Sequence, residues 1–521
     1  MTRVAFATLG CRVNQADTQE IQERLEAAGC RTVPFEAPAD VVVINTCTVT
    51  SRAELSDRQL IRRAARTHPN ARIVVTGCWA QMAPEAVAAL PGVDLVVGTH
   101  ERHRVAEWVR TFPGSCPDVD PQAAARRVRH HVQFPSLSHA ASAVGWPRRD
   151  PAEPHHWSDP HDFPVPAAFP APDVDPAGAP GQSGPRVPTT AADRSVEASG
   201  KAPTPTVGLE QADRAVTGPV PRTRAAARTR AFLKVQDGCQ HRCAFCIVPF
   251  ARGPSRSRDP KLIADRVAEL VEAGHPEVVL TGVDMGHYGG DLVPRTTLAR
   301  LLHDLAGVPG LRWIRLSSLL PAYFTAELTE AVTTIPVIAP HLHLPLQSGS
   351  DRVLRSMRRP YTTGLYRRIV DKLVESIPVL GLGTDLIAGF PGERQEDFAE
   401  TRDLVTALPF SYLHVFPYSD RTRTEAAGRP DHLPARETSE RSRQLRRLGQ
   451  AKNLAFRQRL VDGIEEVLVL ATRERETGRL VGLTGNFVEV TFAGPDALIG
   501  RLARVRVTEA HAHRTEGAWS A

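Results

Sequence analysis

The sequence predicts an α/β chain of three folded parts: a small N-terminal parallel α/β domain, a central partial barrel of six β/α units and a small C-terminal β-barrel. Three observations predict it. Apolar strand-like runs alternate with helical patterns from Arg3 to about Arg110, the alternation resumes at Ala231 for six units, and beyond Val461 it gives way to short alternating strands. At 521 residues the chain is too long for one core, and roughly 100 to 200 residues per domain gives about three.

In the N-terminal part, Arg3 to Leu9 reads as a strand running into Gly10-Cys11, and Gln15 to Ala28 as an amphipathic helix. Val41 to Ile44 leads to Asn45-Thr46-Cys47 and a helix over Ser51 to Arg66; Ile73 to Val75 leads to Thr76-Gly77-Cys78 and a helix over Pro84 to Leu90. Cys11, Cys47 and Cys78 thus each follow the C-terminal end of a strand. Such ends line the ligand crevice of an open α/β sheet, so the three are expected to converge and hold an iron-sulfur cluster with one open iron. Cys30 follows a helix end and is expected to be structural.

From 113 to 223 the pattern changes, with 20 of the chain's 43 prolines and no apolar periodicity. That composition predicts a disordered linker over 112–224. Cys116 reads as a bystander there, His130, His131, His155 and His156 as solvated residues, and Arg222, Arg224, Arg228 and Arg230 as a basic hinge.

The central part opens on Gly238-Cys239-Gln240-His241-Arg242-Cys243-Ala244-Phe245-Cys246, entered from a strand over Ala231 to Gln236. Three cysteines on one tight loop fall short of the closed set of four that structural zinc takes, whereas a cubane held by three thiolates keeps one iron open. Further strand and helix pairs follow: Glu277 to Leu280 with Leu298 to Leu305, Leu311 to Leu316 with Ala326 to Val332, and His341 to Leu344 with two helices through Ile377. Leu380 to Ile387 pairs with Glu396 to Leu408, and Tyr412 to Phe416 with Arg436 to Leu460. An active site is expected at the C-terminal ends of these strands. The last part carries strands over Glu465 to Leu470, Leu480 to Leu483, Val488 to Phe492 and Ala503 to Val507.

Eight cysteines are few for a disulfide scaffold of this size, and the N-terminus lacks a signal-peptide layout, so a cytoplasmic protein is expected. No run approaches the ~20 apolar residues of a membrane span. Net charge +6 permits a nucleic-acid partner without establishing one.

The C-x3-C-x2-C run resembles the signature of the radical S-adenosylmethionine (SAM) superfamily. Thr8-Leu9-Gly10-Cys11-Arg12-Val13-Asn14, Ile44-Asn45-Thr46-Cys47-Thr48-Val49-Thr50 and Val74-Val75-Thr76-Gly77-Cys78-Trp79-Ala80-Gln81 resemble the three cysteine motifs of its methylthiotransferase family. Their wording is nearest the MtaB type, which acts on N6-threonylcarbamoyladenosine in tRNA. The resemblance implies a radical SAM core with a partial (β/α)6 barrel and a TRAM-like RNA-binding β-barrel. The expected domains are 1–111, 112–224, 225–458 and 459–521.

It also implies two 4Fe-4S clusters, one on Cys239, Cys243 and Cys246 and an auxiliary one on Cys11, Cys47 and Cys78, with SAM as co-substrate. One SAM methylates a sulfur on the auxiliary cluster. Another is cleaved to a 5'-deoxyadenosyl radical that removes the C2 hydrogen of the adenine at tRNA position 37, where the methylthio group enters. A C–H bond with no acidic proton explains the need for a cofactor radical.

For SAM the resemblance points to the strand ends. Gly282 lies in Thr281-Gly282-Val283-Asp284, which departs from the family's Gly-Gly-Glu wording; Ser317 and Ser318 offer hydroxyls. Gln347 and Ser348 follow the fourth strand, with Ser348 open between a helix cap and a ligand contact. Asp385 and Gly389 lie in Asp385-Leu386-Ile387-Ala388-Gly389, where glycine allows close backbone approach to a ligand. Phe245 is open between packing over SAM and packing in the core. Arg252, Arg256 and Arg258 suit the SAM carboxylate or tRNA phosphates, with the roles undivided. Expected partners are the tRNA anticodon stem-loop, contacted through Arg473, Arg475, Arg479, Arg501, Arg504 and Arg506, and a low-potential electron donor of flavodoxin or ferredoxin type. A monomer is expected, and the sulfur donor stays open. Competing readings are the same chemistry on isopentenyladenosine or on a ribosomal-protein aspartate, and a non-catalytic RNA-binding protein with structural metal.

Overall fold

The computed structural model describes residues 1–110 and 229–519. The readings made for the linker, with Cys116 and its histidines, lie outside these residues, except that Arg230, expected in a solvated hinge, is partly buried beside Phe487 and Glu277.

The N-terminal domain is a five-stranded parallel sheet of β1 (Arg3–Thr8), β2 (Arg31–Val33), β3 (Val41–Thr46), β4 (Arg72–Gly77) and β5 (Val93–Val97), in the order β2-β1-β3-β4-β5. Central β3 is buried at every residue because helices cover both faces, which is why it reads as one apolar run. Its alternate residues serve opposite layers: Val42 and Ile44 pack with Ile61 and Ala64 of helix Ser51–Thr67, Val41 and Val43 with Ile21 and Leu25 of helix Arg12–Ala27. β2 and β5 did not emerge from the sequence, being short, with no fully buried residue in β2 and only Val96 and Val97 buried in β5. Because β2 and β3 flank β1 on opposite sides, the order reverses between β1 and β3. Cys11 and Cys47 follow those two strands, at the switch point where open α/β sheets bind ligands.

In the central domain β6 (Ala231–Lys234), β9 (Glu277–Thr281) and β10 (Trp313–Leu316) form one parallel sheet, and β11 (His341–His343), β12 (Gly381–Ala388) and β13 (Tyr412–Pro417) another. Bridges Ile314↔Ile338 and Ser318↔His343 join them into a six-stranded partial barrel, with one apolar cluster running through both. Between β6 and β9 the chain forms a helix, Pro260–Glu272, that the sequence reading did not identify; Asp259 caps it through Lys261 N and Leu262 N. Two short strands, β7 (Gln236–Asp237) and β8 (Arg256–Ser257), pair antiparallel and fasten both ends of the cysteine loop. Helix Ala435–Gln458 crosses β13 and leads into the last domain.

That domain is a closed barrel, β14 (Ile464–Arg473), β15 (Leu480–Thr484), β16 (Glu489–Phe492), β18 (Thr515–Trp519) and β17 (Leu502–Ala510). The closing strand β18 went unseen in the sequence because its one fully buried position is Thr515. Among the described residues no helix is long and apolar enough to cross a membrane.

Candidate cluster and substrate site

The loop holding Cys239, Cys243 and Cys246 is pinned by one side chain. The Gln236 amide donates to Gly238 O (2.8 Å) and Ser255 Oγ (2.8 Å) and accepts from Asp284 N (2.8 Å), tying the loop to the end of β9. Arg359 donates to Cys243 Sγ (3.2 Å), and Cys239 Sγ lies 3.7 Å from Asp284 Oδ2. Gly238 has φ 77°, and a Cβ there would stand 1.9 Å from Pro254 O. Gly238→Ala is therefore expected to cost about 1–3 kcal/mol in backbone strain and to displace the loop, seen as lost barrel-cluster iron with the fold retained by circular dichroism.

Cys11, Cys47 and Cys78 follow the ends of three adjacent strands, β1, β3 and β4. Gly10 has φ 98°, and a Cβ on it would lie 2.7 Å from Cys47 Cβ and 2.9 Å from its Sγ, so only glycine lets the strand end carrying Cys11 settle against Cys47. Gly77, before Cys78, approaches Thr46 O just as closely. Asn14 Nδ2 bridges Leu9 O (2.9 Å) and Thr46 O (2.9 Å), closing β1 against β3. Burial pushes the Cys47 thiol up to about 12, with Cys78 and Cys11 adding to the rise. Burial likewise raises Cys246 to about 12, and both Cys243 and Cys78 contribute. Helix Cys78–Met82 packs against helix Val248–Arg252, just after Cys246, so the two cysteine-bearing segments meet at the domain interface. Among the described residues, the one set of three candidate ligand atoms within 4.8 Å of one another belongs to His343, Asp385 and His414. Neither cysteine trio is gathered for a single tetrahedral ion, whereas a cubane takes its thiolates at separate corners. Two such thiolate-only sets fit iron-sulfur clusters.

Between the trios lies a buried charge network. Asp17, on helix Arg12–Ala27, takes Lys234 Nζ, Arg252 (2.9 Å) and Arg102 (3.1 Å); Asp237 takes Arg252 (2.9 Å), Arg102 (2.6 Å) and Lys234 (3.2 Å). Burial works against ionising Asp17, but the three cations outweigh it and hold the carboxyl well below its usual range. Arg252 is 2 % exposed, also donates to Asn14 Oδ1 (2.6 Å) and lies beside Cys78. Its fork is committed to the domain interface. Arg256 donates to Arg252 O (3.2 Å) and sits near His100, on the same contact.

The remaining expected SAM positions divide. Ser348 is fully buried, with Oγ on Thr401 Oγ1 (3.2 Å) and Ser350 N (3.2 Å), and it does not cap helix Asp351–Ser356. Gly389 has φ 76°, and a Cβ on it would stand 2.3 Å from Thr438 on helix Ala435–Gln458. Ser317 Oγ meets Met285 Sδ at 3.8 Å. Phe245 packs against the small apolar cluster of Ala244, Val353, Met357 and Phe390. Gly282 lies against the Gln236 side chain, 3.0 Å from a notional Cβ. Ser318 is exposed, Gln347 adopts φ 68° in the loop after β11, and Asp385 is half-buried.

Asp385 anchors a network that sequence reasoning missed. Its Oδ1 meets His343 Nε2 (3.0 Å) and His414 Nδ1 (3.2 Å), while Tyr412 Oη reaches His343 Nδ1 (3.0 Å) and His341 Nε2 (2.9 Å). Burial acts to raise the Asp385 carboxyl, but the imidazoles outweigh it and hold it well below the usual range. Burial, with the charges of Arg315 and Arg12, pushes His341 well below the ordinary imidazole value. The signal was present in His341-Leu342-His343 and Tyr412-Leu413-His414, whose period of two places the named residues on one strand face.

Residues 3–98 match the family model described as Uncharacterized protein family UPF0004, and residues 233–405 match the Radical SAM superfamily. The chain is 34% identical over 524 residues to the Threonylcarbamoyladenosine tRNA methylthiotransferase MtaB of Bacillus subtilis, covering 99% of this chain and 96% of that protein. It is 34% identical to the Aquifex aeolicus protein of the same name, over 97% of this chain and 100% of the relative. The tRNA-2-methylthio-N(6)-dimethylallyladenosine synthase of Moorella thermoacetica is 31% identical over 98% of this chain and 96% of its own. With both domain models matched and such similarity along its whole length, the chain belongs to the radical SAM methylthiotransferases, of the MtaB type.

Proposed function

We propose that this enzyme inserts a methylthio group at C2 of N6-threonylcarbamoyladenosine at position 37 of tRNA, using two 4Fe-4S clusters. The observation that carries the reading is the packing of helix Cys78–Met82 against helix Val248–Arg252, which brings the segments bearing Cys78 and Cys246 to one interface. Cys239, Cys243 and Cys246 hold the barrel cluster, and Cys11, Cys47 and Cys78 the auxiliary one. When bound, the clusters and SAM supply the electron, the adenosyl radical and the methylated sulfur that the reaction needs. The chain's own residues position these groups: Gln236 fixes the barrel loop, Gly10 and Gly77 seat the second trio, and the Asp17 network locks the two together. Ser318, Gln347 and Asp385 at the strand ends are the remaining candidates for SAM contact. The domains divide as 1–111, 112–224, 225–458 and 459–521, and a low-potential flavodoxin or ferredoxin is the electron source.

The C-terminal barrel serves the RNA. Arg473 pairs with Asp496, Arg479 with Glu516 (3.1 Å), and Arg506 donates to Asp462 O (2.8 Å). The Arg475, Arg501 and Arg504 side chains are exposed and make no hydrogen bond or ion pair to a described residue. Replacing these three with alanine is expected to flatten the salt dependence of log tRNA affinity by about 2 to 3, measured by fluorescence anisotropy over a salt series.

Mass spectrometry of nucleosides from tRNA treated with reconstituted enzyme, SAM and reductant tests the reaction. Appearance of 2-methylthio-N6-threonylcarbamoyladenosine supports it. Methylthiolation of isopentenyladenosine alone, or of neither nucleoside, overturns it.

A further inference from the structure

Three parts of the chain meet around the ring of Phe487. Phe487 sits in the turn between β15 and β16 of the C-terminal barrel, at φ 72°. His341 and Tyr412 of the central barrel approach to ring centroid distances of 4.5 Å and 6.0 Å. Guanidinium carbons of Arg315, Arg12 and Arg230 stand 5.3, 5.4 and 6.0 Å from its centroid. Arg12 comes from the N-terminal domain, directly after Cys11.

The charges there do not balance. Glu277 is the carboxylate paired within the cluster, and Arg315 occupies it at 2.9 and 3.0 Å. The rest of the Arg315 fork goes to Gly485 O (2.8 Å) and Thr484 O (3.2 Å), so Arg315 is fully committed. Arg230 reaches Glu277 only at 3.8 Å. The Arg12 side chain makes no hydrogen bond or ion pair to a described residue, although it is partly buried beneath an aromatic ring. A guanidinium fork held against aromatic walls and lacking an anion is complementary to a planar carboxylate, which it binds through two parallel hydrogen bonds.

We infer that Arg12, assisted by Arg230, binds the carboxylate of the threonylcarbamoyl substituent on the target adenine, and so selects that nucleoside over one with a neutral N6 group. The inference rests on the proposed substrate. C2, N1 and N6 lie along one edge of adenine, so a side chain adjoining the cysteine trio that serves C2 can reach an acid carried on N6. A neutral isopentenyl chain would leave the Arg12 charge buried and unmatched, which disfavours it.

The test uses the reconstituted full-length enzyme and two synthetic anticodon stem-loops, one with threonylcarbamoyladenosine and one with its threonine carboxylate as the amide. For wild type, the amide is expected to lose roughly 10- to 100-fold in kcat/KM, mostly through KM, as for one charged hydrogen-bonded pair. Arg12→Gln is expected to show the same loss on the acid and little further loss on the amide, while Arg12→Lys recovers part of it. RNA affinity by anisotropy should follow the same pattern, with iron content as in wild type. Equal use of acid and amide by wild type, or an equal loss on both RNAs in Arg12→Gln, overturns the inference. Inactivity of wild type on both, with turnover of an isopentenyl stem-loop, would overturn the substrate assignment and this inference with it, and is distinguishable because no variant is needed to see it.

Discussion

Replacing Cys11, Cys47 and Cys78 together with alanine is expected to remove about half of the bound iron and sulfide, since each cubane carries four irons. Methylthiolation should vanish, while reductive cleavage of SAM to 5'-deoxyadenosine continues at the barrel site. The expectation follows from the separation of the two trios onto different domains. Cys239, Cys243 and Cys246 are held by Gln236, Gly238 and the β7–β8 pair, none of which contains a residue of the N-terminal sheet. Iron and sulfide analysis beside product chromatography decides it. Retention of full iron content would show that the N-terminal trio holds no cluster, and loss of SAM cleavage would show that the sites are not separable.

Asp17→Asn is expected to be the most destabilising single change at the domain interface, costing about 3–5 kcal/mol, because removing one member of a buried charge network leaves its partners uncompensated. Lys234, Arg102 and Arg252 all converge on Asp17, and without it they keep only Asp237 and, for Lys234, a distant Glu20 (3.8 Å). A fall in thermal midpoint, with proteolytic release of the N-terminal domain, would be the signature. The pH dependence has a definite sign. The folded-state carboxyl is held below its unfolded value, so its contribution is complete above about pH 4 and is lost as pH falls through the folded value. Wild-type stability should therefore decline on acidification below that point, and the Asp17→Asn protein should decline less. An unchanged melting midpoint in the variant would mean that the interface is held by apolar contact alone.

Some of this architecture is local and therefore readable. The C-x3-C-x2-C loop needs no long-range pairing to bring its sulfurs together, and the strands that carry Cys11, Cys47 and Cys78 announce themselves by continuous apolar runs. β2, β5 and β18 carry few buried apolar residues, and their places are set by neighbours distant in sequence, so they left no pattern to find. The same distinction divides the site residues. Arg252 next to a cysteine loop suggested an anion ligand, but its partners Asp17 and Asn14 lie 235 and 238 residues away. Gly389 advertised a close approach; that the approaching atom is Thr438 depends on how helix Ala435–Gln458 packs.

The sequence alone determined the chemistry: two sets of three cysteines, each placed after strand ends, and the order of three folded parts. It could do so because ligand type and local spacing are encoded in short stretches of chain. Tertiary structure alone decided which arginine has a carboxylate and which has none. Arg12, Arg230 and Arg315 read alike as residues, yet Arg315 is matched by Glu277 and Arg12 is not. Charge compensation in a buried site is a property of groups brought together from three domains.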